Sequence, residues 1–304
     1  MKGYVFVDYA TQAYGVVVTA LILLFHNATV PAWPWLVGAH VAGLVLIHWL
    51  VQAHHRAKSN RALDFARHFY PVPCYLWFFS ETGCLNRMFV PDYLDPLAIR
   101  WDQALFGCQP GVEFMQKLPW LPLSELFYAA YFSYYLMIVG VGIALFFRDR
   151  QQFFHYISVI SFLFYICYLV YIALPIIGPR VFFETINGYT LPAEWHRFAP
   201  GANYPAAVRA GPFFHLMGWL YRIFESPGAA LPSSHVAVAW CTVYFSFHYL
   251  RRIRYAHLIA AVLLCLSTLY CRYHYAVDVV AGLLAAAILI PLGNRLYEGK
   301  GKAE

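Results

Sequence analysis

Charge is scarce in this chain. Aspartate, glutamate, lysine and arginine make up 12% of its 304 residues, about half of what a soluble domain carries. That excludes an ordinary water-soluble globular protein. The formal charge of +6 lies mostly in short loops, where it reads as a topology signal rather than a nucleic-acid surface. The seven cysteines form no CxxC pair, which argues against a zinc or thioredoxin-type site. Cys74, Cys167, Cys241 and Cys265 fall inside apolar runs and read as small core residues. Cys84 and Cys108 share one exterior loop, where a disulfide is compatible with the compartment. Apolar residues do not alternate with polar ones as in a membrane barrel; their runs are continuous. Internal repeats and low-complexity linkers are lacking, and the first apolar run is long enough to read as an uncleaved span rather than a signal peptide.

What is there is apolar: 61% of the chain. Several stretches approach the roughly 20 residues that cross a bilayer. They predict an all-α, polytopic transmembrane helix bundle of about eight segments: 9–27, 34–53, 68–82, 123–147, 153–175, 233–250, 255–271 and 275–293. The third is short and interrupted by Pro71 and Pro73. Placing both termini and the loops at 54–67, 148–152 and 251–254 inside collects 13 of the 21 lysines and arginines there, the positive-inside arrangement. Two exterior stretches, 91–106 and 212–224, have apolar residues at helical spacing. They predict helices lying in the headgroup plane or, equally, capping the bundle as ordinary packing.

With that topology, Arg180, His235, His274 and Asp278 all fall on the outer side. Ionisable residues at the edge of a span are costly and usually have a task. Pro232 suits a helix start, Ser233 or Ser234 its cap, and the free N–H groups of that first turn favour an anion such as phosphate. His235, in the same turn, can deliver a proton. His274 and Asp278 share one helix face at i and i+4; the carboxylate can fix one ring nitrogen and leave the other to attack. The guanidinium of Arg180 matches phosphate geometry, and Arg272 is a second candidate cation. Each feature has a blander reading: interfacial histidines, a snorkelling arginine, a chance HxxxD. Two histidines and an aspartate can also ligate zinc, but no supporting pattern surrounds them, so neither metal nor cofactor is expected. A proton-coupled transporter or flippase needs charge across the bilayer; the last four segments carry mostly Ser, Thr and Tyr, with His248 near the inner end. Tyr128, Tyr131 and Tyr135 line one face of the fourth segment, for core packing or a headgroup.

The three motifs in this order resemble the type 2 phosphatidic acid phosphatase superfamily, whose signatures are KxxxxxxRP, PSGH and SRxxxxxHxxxD. The resemblance covers about 153–293. It implies a phosphohistidine on His274, with Asp278 orienting the ring, His235 protonating the leaving group, and Arg180 and Ser233 holding phosphate. It implies a phosphorylated lipid substrate, with water or a lipid hydroxyl as acceptor. The chain departs from the pattern at Ala173, Val181, Ser234 and Thr268, which stand for the lysine, the proline, the glycine and the arginine. Gly178-Pro179-Arg180, Pro-Ser-x-His, and Asp102 through Gly107 (similar to a DxxxFG element) resemble the branch of inositol phosphorylceramide synthases. That resemblance implies a six-helix catalytic core over 68–304, preceded by two extra segments and a basic inner loop over 1–67.

Overall fold

A computed structural model describes residues 3–57, 59–182, 204–224 and 226–299. They form fourteen helices: α1 (Phe6–Phe25), α2 (Trp33–Arg56), α3 (Arg61–Phe69), α4 (Pro71–Leu85), α5 (Asp95–Phe106), α6 (Pro110–Lys117), α7 (Leu121–Arg148), α8 (Arg150–Ala173), α9 (Pro179–Phe182), α10 (Ala206–Arg209), α11 (Pro212–Phe224), α12 (Ser234–Tyr249), α13 (Arg254–Tyr270) and α14 (Ala276–Gly299). Helices α1, α2, α4, α7, α8, α12, α13 and α14 stand at the eight expected positions. Five of them, α1, α2, α7, α8 and α14, are long and apolar enough to cross a membrane. At 1.5 Å per residue, α4, α12 and α13, with 15, 16 and 17 residues, fall short of a hydrocarbon layer about 30 Å thick.

Local chemistry explains most boundaries. Pro71 does not interrupt a segment. It is the first residue of α4, where its missing N–H costs nothing, and residues 68 and 69 belong to α3. Asn60 caps α3 through Ala62 N and Leu63 N, and Asp149 caps α8 through Gln151 N and Gln152 N. Helix α8 is the axis of the bundle and packs against α1, α4, α7, α12 and α14. Cys84 and Cys108 are both free thiols.

A buried ion pair and a buried histidine–carboxyl contact tie the N-terminal helices down. Asp8 meets Arg67 at 2.5 Å and accepts from the Tyr70 hydroxyl at 2.7 Å. His40 Nε2 lies 2.8 and 2.9 Å from the two oxygens of Glu81, joining α2 to α4. Removing one member of either pair leaves the other buried without that partner.

Helix α5 inverts ordinary amphipathicity. Leu97, Trp101 and Leu105 are exposed, whereas Asp95 and Asp102 are wholly buried. Helix α11 is packed as well as amphipathic: Met217 is buried while Trp219 and Ile223 remain exposed. Glu125 of α7 accepts from the Phe213 amide in its first turn.

Candidate active site at the helix ends

The start of α12 is set by Ser233, whose side chain accepts from Val236 N at 3.3 Å. Tyr171 of α8 holds the preceding turn: its hydroxyl donates to Pro232 O at 2.9 Å and accepts from Ser234 N at 3.1 Å. The start of α14 lies alongside, with Ser233 N donating to Asp278 O at 3.0 Å. Only a glycine allows that approach. A Cβ on Gly282 would stand 2.6 Å from Ser233 O.

His274 precedes α14 in a short turn whose amides at 273 and 274 both donate to Thr268 O. Its Nδ1 is 3.4 Å from Asp278 Oδ2, and its Nε2 is 3.1 Å from Ser233 Oγ. The ring is almost buried, at 3% exposure. Burial pushes its pKa down to about 4, opposed by a hydrogen bond with the Ala230 backbone. The two ring nitrogens thus face different partners, Nδ1 toward Asp278 and Nε2 toward Ser233. His235 lies 5.6 Å away, centroid to centroid, against Tyr131 and Tyr134. Tyr131 is therefore core packing, but the core it packs is the wall around His235.

Arg180 reaches the same place from α9. Its amide donates to Arg272 O at 2.8 Å, and its guanidinium lies 4.6 Å from the Tyr221 ring and 5.6 Å from Tyr273. A parallel bridge between Ile176 and Ala229 stitches the segment before α9 to the segment before α12. Arg180, His235 and His274, with Tyr221, Tyr273 and Phe79, line one small cavity. A larger groove between α12 and α14, among Trp240, Tyr244, Phe247 and Leu283, is almost wholly apolar and carries no acid, histidine, lysine or arginine. The histidines and the arginine belong to the smaller space.

The sequence-based candidates thus converge, with two distinctions. Ser234 contributes through its amide rather than across the cavity. Arg272 supplies its carbonyl to Arg180 from a left-handed backbone, φ 63°, and its guanidinium lies 4.9 Å from the Tyr204 ring. Among the described residues no group of three or more His, Cys, Asp or Glu is placed to share a metal ion.

A family model described as the PAP2 superfamily matches residues 98–292. The chain belongs to the PAP2 superfamily. Membership points to phosphatase or phosphotransferase activity, and the long apolar helices point to an integral membrane protein. No curated protein and no solved structure gave a match. The PAP2 region begins well before the three motifs and takes in α5 from Ala98 onward.

Sequence reasoning passed over what α5 does. Asp95 Oδ2 accepts from Ile177 N and its Oδ1 accepts from Gly178 N and the Tyr275 hydroxyl, all at 2.9 Å. Asp102 accepts from Ala276 N and Val277 N, also at 2.9 Å. Burial raises both carboxyls, Asp95 to about 7 and Asp102 to about 6, against those hydrogen bonds. The available signal was two acids facing away from the apolar stripe of a helix that carries the DxxxFG element.

Proposed function

We propose that the protein transfers a phosphoryl or phospho-headgroup from a membrane lipid through a phosphohistidine on His274. The observation that carries this reading is the His274 ring held between Asp278 and Ser233, with His235 and Arg180 on the same cavity. The Nε2 lone pair attacks phosphorus and the bond to the leaving oxygen breaks. Asp278 holds the ring and offsets its new positive charge. His235 gives the leaving oxygen its proton. Arg180, Ser233 and the first turn of α12 gather the phosphate oxygens. Water or a lipid hydroxyl then attacks phosphorus, breaks the P–N bond and gives its proton to His235. Almost complete burial of His274 and the apolar wall at Phe79 favour a lipid hydroxyl, in the manner of inositol phosphorylceramide synthases, over bulk water.

This reading takes eight membrane passes, three of them through helices shorter than the hydrocarbon layer, with both termini inside and the site on the outer face. The basic turns at 148–150 and 251–254 lie at the opposite ends of α8 and α12 from the site. Helices 1–67 then form an N-terminal addition to a core over 68–304.

The deciding experiment incubates purified protein with labelled phospholipids, with and without ceramide or diacylglycerol. A new phospholipid marks a transferase and free phosphate a phosphatase. Full activity in His274→Ala, or abolition by chelator alone, overturns the mechanism.

A further inference from the structure

Asp95 sits in the first turn of α5, where an aspartate ordinarily serves the amides of its own helix. It does not. The start of α5 has no side-chain cap, and Leu94 N donates instead to Pro175 O at 2.8 Å. All three donors to the Asp95 carboxylate come from two other segments: Ile177 and Gly178 lead to Arg180, and Tyr275 follows His274. A buried carboxylate is expensive unless every lone pair is used, and here the uses are directed wholly at those two segments.

We propose that Asp95 is a positioning residue that sets the separation of Arg180 from His274, with Asp102 holding the α14 end of the same frame. This rests on the phosphoryl-transfer reading above. The frame has no slack. A Cβ on Gly178 would stand 2.4 Å from Tyr273 O, and one on Gly111 of α6 would stand 2.7 Å from His274 O. The two segments meet main chain to main chain, and α5 and α6 press on them from one side. Asp102 takes the first free amides of α14, the helix that carries Asp278. Asparagine in place of either acid keeps the volume but turns an NH2 toward an amide donor.

The test uses the full chain with Asp95→Asn and Asp102→Asn, and His274→Ala as control. Turnover of a labelled phospholipid is resolved into kcat and KM, and amide hydrogen exchange is followed along the chain. The expected result is a fall in kcat of about 10²-fold with KM unchanged. Exchange should quicken in peptides covering 173–180 and 273–280 and nowhere else. Wild-type kcat in both variants overturns the proposal, as does unchanged exchange in both peptides. Faster exchange along the whole chain marks a general stabilising role and overturns it too. If Asp95→Asn does not fold, Asp102→Asn carries the same comparison. If the wild-type protein transfers no phosphoryl group, the functional reading fails and exchange alone decides whether Asp95 joins the two segments.

Discussion

Ser233 Oγ stands 3.1 Å from His274 Nε2 while it also accepts from Val236 N at 3.3 Å. One hydroxyl thus begins a helix and faces the atom proposed to attack phosphorus. Ser233→Ala should lose about 1 kcal/mol of stability as a missing cap, and about 10²-fold in turnover as a missing phosphate donor. Ser233→Thr should restore most of both. Thermal unfolding in detergent and steady-state kinetics separate the two effects.

His274 should stay neutral well below the ordinary histidine range. Its folded pKa is depressed to about 4, whereas the unfolded chain takes up the proton near 6.5. The stability from the buried neutral ring is therefore complete above pH 6.5 and is lost as pH falls toward 4. The acid limb of kcat/KM due to this group should fall nearer pH 4 than 6.5. A pH–rate profile with matched unfolding midpoints checks both. His274→Ala should lower turnover at least about 10³-fold at every pH.

Gly178 has φ +97°, and its Cα faces Tyr273 O too closely for a side chain. Gly178→Ala should cost more than about 1 kcal/mol from the backbone alone, with further loss from the main-chain clash. Activity per folded molecule should fall with stability, because Arg180 and His274 move apart. Gly218→Ala, where an added Cβ has nothing within 4 Å, is the matched control.

The His40–Glu81 pair predicts the opposite pattern. Glu81→Ala should destabilise by about 1–3 kcal/mol, because it leaves the buried His40 ring without its hydrogen-bond partner. Replacing both residues with apolar ones of similar size should recover most of that. Neither change should alter kcat of the folded protein, since neither residue lines the cavity. Unfolding midpoints with kcat on the folded fraction test it.

The helices were legible because continuous apolar runs and proline or capping residues mark them in a single pass along the chain. Pro71 misled because a proline at a helix start and one inside a helix look alike until the neighbouring helix is seen to end. The histidines, Asp278 and Arg180 were legible because each sits at the end of an apolar run. Asp95 was not, because its partners are main-chain amides at 177 and 178 and a hydroxyl at 275, and amides carry no letter in a sequence. Arg272 is a candidate cation by its nearness to His274 in the chain; its left-handed backbone and its place over the Tyr204 ring leave no mark in the sequence.

The bridge between Ile176 and Ala229 closes a circuit. Its two ends lie far apart in the chain, one just before α9 and one just before α12, and α11 between them sends Tyr221 back to the same cavity. The bridge ties the segment that leads to Arg180 directly to the segment that leads to His235, a far shorter path than the sequence between them. In polymer terms the bridge is a cross-link, and it removes most of the freedom that the intervening residues would otherwise give its two ends.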